Sequence, residues 1–344
     1  MQLMDLIQNK YKIISVVGMA KNAGKTVTLN QLIDEAMERN IRIGITSTGR
    51  DGENQDLVTN TEKPMIYVEE GTLIATTEGT FKYTEARLEI LEVTNINTSM
   101  GRIVIVQAKT SGYVQIAGPN TNRDMKLVSD KLLAYGASLV IVDGALDRMS
   151  SASPSVTEAT ILATGAVLSR DMNKVIESTM HQVQLFSLPQ IQDDQIRDLA
   201  DAIMKEDGYA IIDEQNEVVP LNIKTALNSG DIIGRAIKDN AKYVVIGGSL
   251  VSNTLKKIIQ TTRKYKSVTF IVKDATKIFI SSRDWMFFKK AGIHIQVIDK
   301  IDPLAVTVNP YAPQGYYYQP EEFLTKMREF LNPIPVFDVV LGGE

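Results

Sequence analysis

The chain contains no cysteine. Its side chains therefore supply no thiol nucleophile, no disulfide, no Cys-ligated zinc and no cysteine-held iron–sulfur cluster, which agrees with a cytoplasmic protein. Histidine is almost as scarce: His181 and His294 are the two in 344 residues. They are too few for a histidine-rich metal centre and read as surface or packing residues. No sign of charge dominates. The net charge of −4, from 37 Lys and Arg against 41 Asp and Glu, points to neither nucleic acid nor an anionic membrane. No apolar run approaches the roughly 18 residues of a membrane span. Met1 to Lys10 carries Asp5 and no long apolar core, so it does not read as a signal peptide. Heptads, low-complexity tracts and internal repeats are also missing. What is present is 44% hydrophobic and 23% charged, enough for a sizeable core and, at this length, about two domains.

The stretch with most chemical content is Val16-Val17-Gly18-Met19-Ala20-Lys21-Asn22-Ala23-Gly24-Lys25-Thr26. The apolar run Ile13 to Val17 feeds a short loop ending in Gly-Lys-Thr. A helical stripe of Leu29, Leu32, Ile33, Ala36 and Met37 follows at once. Strand, loop, Gly-Lys-Thr and helix is the context in which a phosphate-binding P-loop has meaning. Backbone N–H groups of such a loop cradle anionic oxygens, and the helix adds its positive dipole end. The expected nucleotide-binding residues are Gly18, Lys21, Asn22, Ala23, Gly24, Lys25, Thr26 and Val27. Lys25 would reach the outer phosphates and the Thr26 hydroxyl would ligate magnesium. One departure stands out: the motif places its first glycine where this chain has Met19, with Gly18 one residue early.

Arg42 to Thr46 reads as the next strand, which makes a βαβ unit and implies a parallel sheet. The polar segment Ser47 to Glu53 then leaves a strand's carboxyl end, where open α/β sheets bind ligands. It reads as a switch or substrate loop, with Asp51 or Glu53 near magnesium and Arg50 near a phosphate, or as an ordinary solvated loop. Residues 64–117 are short β-type stretches punctuated by glycines, a strand-rich insertion or one edge of the sheet. Leu139-Val140-Ile141-Val142-Asp143-Gly144 is an apolar strand ending in an acid. Asp143 would hold magnesium opposite Thr26; the plainer reading is a turn-forming Asp-Gly. Asp147 and Arg148 could touch the substrate or the nucleotide.

The fold expectation is an α/β P-loop NTPase with a mainly parallel sheet, a strand-rich insertion and a second α/β domain. The boundary is placed near Ser187-Leu188-Pro189, giving residues 1–187 and 188–344. In the second half, Gly247-Gly248-Ser249 reads as a tight turn before an anion site. Trp285, Phe287 and Phe288 read as packing residues. The aromatic loop Tyr311 to Tyr318 is either a contact surface or docked onto its own domain.

Lys21-Asn22-Ala23-Gly24-Lys25-Thr26 resembles the Lys-Asn-Ser-Gly-Lys-Thr loop of molybdopterin-guanine-dinucleotide biosynthesis NTPases. Those belong to the class that includes dethiobiotin synthetase and the metallochaperone GTPases. Over a longer reach, Val17 to Thr26, Thr46 to Glu53, Asp143 to Arg148 and Ala163 to Lys174 resemble a clostridial family associated with cobalamin-dependent lysine and ornithine aminomutases. That family is one subunit of an aminomutase reactivase, whose second subunit is similar to mismatch-repair ATPases. The resemblance implies ATP-dependent release of damaged cobalamin, with ATP and magnesium as cofactors and the second subunit and the aminomutase as partners. Two other classes stay open: a biosynthetic kinase or ATP-dependent ligase like dethiobiotin synthetase, and a nucleotide-dependent regulatory module. No Asn-Lys-x-Asp motif follows a strand, which favours ATP over GTP.

Overall fold

The computed structural model describes residues 1–48, 65–145, 152–223 and 229–340. In chain order the elements begin with α1 (Leu3–Ile7), β1 (Ile13–Gly18), α2 (Lys25–Glu38), β2 (Ile43–Ser47), β3 (Ile66–Val68), β4 (Leu73–Thr77), β5 (Leu88–Thr98), β6 (Gly101–Ala108) and β7 (Gly112–Val114). Then come α3 (Asn122–Ala134), β8 (Leu139–Ala145), β9 (Ala159–Gly165), α4 (Met172–Phe186), α5 (Asp194–Lys205), β10 (Tyr209–Asp213), β11 (Val218–Leu221), α6 (Ser229–Ala236) and β12 (Ala241–Ile246). The chain continues through β13 (Leu250–Val251), α7 (Ser252–Thr261), β14 (Thr269–Val272), β15 (Ile278–Phe279), α8 (Ser282–Ala291), β16 (His294–Val297), β17 (Pro303–Asn309), α9 (Pro320–Leu331) and β18 (Val336–Asp338).

Nine strands form the large sheet, in the order β18-β17-β9-β1-β8-β2-β4-β6-β5. Every neighbouring pair from β18 to β4 is parallel, and only the β4–β6 and β6–β5 pairs are antiparallel. The parallel strands are buried on both faces, which is why β8 up to Val142 and β1, with Ser15 its one polar side chain, read as nearly continuous apolar runs. Alternation along each strand assigns the faces. Ile14 and Val16 of β1, Ile43 and Ile45 of β2, and Leu139 and Ile141 of β8 pack with Leu29, Leu32, Ile33 and Ala36 of α2. Ile13, Val140 and Val142 point the other way, onto Met125, Val128 and Leu132 of α3. Met37, expected on the buried stripe of α2, lies at its edge and is 38% exposed.

The strand-rich stretch is the antiparallel edge of this same sheet: β4, β6 and β5 belong to it, while β3 and β7 pair beside it. It is therefore no separate insertion. Hydrogen bonds along the ladder of β2 and β4 make it continuous with the parallel strands.

The division into units differs from a cut at residues 187 and 188. One compact unit is Met1–Thr179 with Asp302–Glu344, and the other is Met180–Ile301. The boundary falls inside α4, which runs unbroken through it. Thr179 Oγ1 meets Thr164 Oγ1 at 2.9 Å in the first unit. His181 Nε2 meets the Ile280 carbonyl at 2.8 Å in the second. The segment after Ile301 belongs to the first unit because β17 pairs with β9, and β18 with β17. An apolar strand such as Leu304 to Val308 does not reveal from sequence which sheet it will join.

The second unit has its own five-stranded sheet, β11-β10-β12-β14-β16. Strands β12, β14 and β16 are parallel; β10 runs antiparallel to β12, and the edge strand β11 antiparallel to β10. Ile196, Ala200, Ile212, Val245 and Ile271 are in its core. Trp285 and Phe288 are buried as expected, but Phe287 is 51% exposed. The Gly247-Gly248 corner is a packing feature. A Cβ on Gly247 would lie 2.3 Å from the Gly208 carbonyl oxygen, and one on Gly248 would lie 2.5 Å from the Tyr209 hydroxyl. Among the described residues no helix is long and apolar enough to cross a membrane.

Candidate functional site

The strand register gathers the site. On β1, β8 and β2 the residues that follow the α2-facing positions by two are Gly18, Asp143 and Ser47. All three end up at the carboxyl ends of neighbouring strands, on the α2 side of the sheet. On β9 and β17 the same parity selects Gly165 and Asn309, and the two are paired in register. Carboxyl ends of parallel strands, crossed by a helix N-terminus, are where open α/β folds hold ligands.

The loop between β1 and α2 is pinned at both ends. Met19 N–H donates to the Ala163 carbonyl at 2.8 Å, and Ala23 N–H donates to the Ala20 carbonyl at 3.2 Å. Positive φ falls at Asn22 (66°) and Gly24 (98°), and not at Met19. A glycine is therefore not needed at Met19. That side chain is buried, and its sulfur accepts from the Thr179 hydroxyl at 3.4 Å. Gly18 is closely packed: a Cβ there would lie 3.3 Å from the Ala20 carbonyl oxygen and 3.4 Å from Lys25 Cβ. Gly24 sits at the N-cap of α2 and packs on Asn309, whose Cβ would be 3.0 Å from a Cβ at Gly24. Lys21, Asn22 and Val27 are exposed, Ala23 and Gly24 buried, and Lys25 and Thr26 half-buried.

Helix α2 has no acidic residue in its first turn. Its positive end, and the N–H groups that lack intrahelical acceptors there, are not neutralised from within the helix. The negative charge comes from the sheet. Lys25 Nζ lies 2.7 Å from Asp143 Oδ1. The contact is close but poorly directed, since that carboxylate oxygen has no partner in hydrogen-bonding geometry. The other oxygen, Oδ2, accepts from the Ser47 hydroxyl at 3.4 Å. Asp143 is not a turn residue. The strand continues to Ala145, with Asp143 opposite Val16 and Gly144 opposite Val17.

Lys25, Thr26 and Asp143 are thus placed at one end of the sheet by adjoining elements. Arg50, Asp51, Glu53, Asp147 and Arg148 lie outside the described residues. The described residues contain no group of three or more His, Cys, Asp or Glu able to hold a metal. What they offer is one carboxylate with an under-used oxygen, plus the Thr26 hydroxyl. Such a donor set fits magnesium, which keeps several waters and takes its remaining oxygens from phosphates. It does not fit a metal caged wholly by protein.

Two contributors escape a local reading of the sequence. Asn309 donates from Nδ2 to the Asn22 carbonyl at 3.4 Å and accepts at Oδ1 from Tyr311 N–H at 3.0 Å. Gly118 closes over the end of β2, where a Cβ would come within 1.8 Å of the Ser47 carbonyl oxygen. Their signal lay only in the register of distant strands. Elsewhere, His181 is a packing residue against Trp285, with ring centroids 5.9 Å apart, and His294 is exposed. No protein-family model matches the chain, and no curated protein matches it.

Proposed function

We propose that the chain is a magnesium-dependent nucleotide-binding protein of the P-loop type that hydrolyses ATP. The observation that carries this reading is the 2.7 Å pairing of Lys25, first residue of α2, with Asp143 on the strand next to β1. A lysine and an acid held together beside an unneutralised helix N-terminus form a site of separable charges. Phosphate draws Lys25 away, and the released carboxylate is then free for a cation. Backbone N–H groups between Lys21 and Val27, that of Ala23 excepted, bind the phosphates. Lys25 neutralises charge that develops on the outer phosphate oxygens. Asp143 and Thr26 would hold magnesium, with Ser47 steadying the carboxylate at its second oxygen. Magnesium, when bound, supplies Lewis-acid stabilisation and orients the phosphates.

The client proposed for this ATPase is a cobalamin-dependent amino-acid aminomutase, with a second reactivase subunit. Support for the client is the sequence resemblance over Val17 to Thr26, Thr46 to Glu53, Asp143 to Arg148 and Ala163 to Lys174. The test inactivates such an aminomutase by turnover, then adds this protein, the second subunit, ATP, magnesium and fresh adenosylcobalamin. Recovery is expected to require every component and to fail with Lys25→Ala. Recovery that ignores ATP, or proceeds without this protein, would remove the client and leave a small-molecule kinase or ligase as the better reading.

A further inference from the structure

The segment that leaves β17 carries Tyr311, Tyr316, Tyr317 and Tyr318, and these divide into two pairs. Tyr316 and Tyr318 are anchored within their own unit. The Tyr316 hydroxyl donates to the Ala166 carbonyl at 2.6 Å, and the Tyr318 hydroxyl donates to the Ser169 carbonyl. Tyr318 packs edge-on against Phe323, and the Arg170 guanidinium lies 5.1 Å from the Tyr316 ring centre. Burial, together with the neighbouring Tyr316 and Asp171, pushes the Tyr318 hydroxyl up to about 12, so it remains a donor at any ordinary pH.

Tyr311 and Tyr317 face outward instead, 41% and 65% exposed. They oppose one another in an isolated antiparallel bridge, their rings 6.0 Å apart and inclined by 35°. Their backbones are fixed by the docked pair: Tyr318 N–H donates to the Pro310 carbonyl at 2.9 Å and Ala312 N–H to the Tyr316 carbonyl at 2.9 Å. This is a held aromatic surface with no intramolecular cover on much of either ring. It is also tied to the phosphate loop, because Asn309 bridges Tyr311 N–H and the Asn22 carbonyl.

We propose that the Tyr311–Tyr317 pair is the platform on which the base of the bound nucleotide stacks. The inference rests on the nucleotide reading of the Gly18–Thr26 loop and adds the recognition of the base. Stacking on a tyrosine face requires a planar aromatic ring and rewards ring area, so a purine is held better than a pyrimidine. Asn309 uses both ends of its amide to tie loop to platform, and is a positioning residue that reads no base.

The test is calorimetric binding to the full-length protein, in magnesium, of ATP, CTP and inorganic tripolyphosphate. Tyr311→Ala and Tyr317→Ala are each expected to weaken ATP about tenfold, the order of one base–aromatic stack. Tripolyphosphate should be unaffected, which also shows that the variants are folded. Tyr317→Phe should retain ATP affinity, since the ring and not the hydroxyl makes the contact. The parent should prefer ATP to CTP. Unchanged ATP affinity in both alanine variants would overturn the platform while leaving the phosphate loop standing. So would a parallel loss of ATP and tripolyphosphate in a variant whose circular dichroism matches the parent. Failure of the parent to bind either ligand would instead remove the nucleotide reading on which the inference rests.

Discussion

Replacing Asp143 by Asn keeps the shape of the side chain and removes its charge, and so separates two roles that the carboxylate has on the proposed reading. In the structure it holds Lys25 at 2.7 Å. At that distance Coulomb attraction is about 6 kcal/mol at an effective dielectric of 20 and about 1.5 in bulk water. Desolvation and the ordering of the lysine subtract from either figure. The side chains of Lys25 and Asp143 are 26% and 17% exposed, and the contact lacks a directed hydrogen bond. Both facts place the net attraction near the low end, about 1–2 kcal/mol. A phosphate that takes Lys25 without a cation to satisfy Asp143 must overcome that attraction, which is roughly five- to thirtyfold in affinity. In Asp143→Asn the opposition disappears, so ATP binding in EDTA should strengthen by about that factor. The gain in ATP affinity on adding magnesium should shrink at the same time, because the carboxylate ligand is gone. Titration calorimetry of parent and variant, each with EDTA and with magnesium, measures both changes. Equal magnesium gain in the two proteins, with metal-free affinity unchanged or lower in the variant, would refute the reasoning and return Asp143 to a structural role.

Three further outcomes can be measured directly. Lys25→Ala should abolish ATP turnover by a phosphate-release assay while lowering the thermal midpoint by no more than a few degrees, since about 1–2 kcal/mol of pairing is lost. Gly118→Ala drives a methyl group into the Ser47 carbonyl oxygen, and urea unfolding should show a loss of roughly 3 kcal/mol or more from overpacking against backbone. Tyr11→Phe removes a 2.6 Å hydrogen bond to Asp302 Oδ2 and should cost about 1 kcal/mol at neutral pH. In the parent that bond, with burial and the Asp302 charge adding to it, pushes the Tyr11 hydroxyl from 10.0 up to about 12. The folded protein thus holds the phenolic proton more tightly than the unfolded chain, so this contribution is complete below pH 10 and is lost between about 10 and 12. The gap in stability between parent and Tyr11→Phe should close over that window, and a constant gap would count against the bond.

The sequence makes β1, α2 and β8 readable because each announces itself locally. Leu139 to Val142 is a continuous apolar run and Ile13 to Val17 is one but for Ser15, as parallel central strands are, and α2 starts at a left-handed glycine, Gly24. Placing Asp143 across from Lys25 needs one further step, the insertion of β8 between β1 and β2; the βαβ rule gives the shared direction of the strands but not that neighbour or its register. What stays hidden depends on pairings between distant segments. β17 looks like any other apolar strand, and only its ladder with β9 brings Asn309 to Gly24, 285 positions away in the numbering. The unit boundary is hidden for a related reason. No proline or glycine interrupts α4 at Thr179, so the sequence break at Ser187 to Pro189 draws the eye to the wrong place. Met19 shows the reverse case: an apparent violation of the motif that the backbone explains, since the positive φ lies at Asn22 and Gly24 instead.

The same geometry constrains how a nucleotide could act at a distance. A ligand shifts a protein's conformation only by its unequal affinity for two arrangements. On the proposed reading the two arrangements at this site can be named: Lys25 on Asp143, as seen at 2.7 Å, and Lys25 on phosphate. The strands beneath are unsuited to carry the difference, because β1, β8 and β2 are locked by continuous parallel ladders and a close-packed core. The contacts free to respond are those made by side chains and not by the ladders. Ser47 follows Asp143 through a 3.4 Å contact and leads directly into the segment after β2. Asn309 follows the β1–α2 loop through Asn22 and leads into the tyrosine segment. A change at the β1–α2 loop therefore has two exits, one on either side of β1 in the sheet order. On the proposed reading, a client that senses nucleotide must contact one of them. Asn309→Ala cuts one exit without touching Lys25, Thr26 or Asp143. It should leave the magnesium dependence of ATP binding intact while weakening any nucleotide-dependent change in client affinity that runs through the tyrosine segment. Paired titrations of client onto the ATP-bound and ADP-bound protein measure that difference, and an undiminished difference in Asn309→Ala would assign the signal to the Ser47 side.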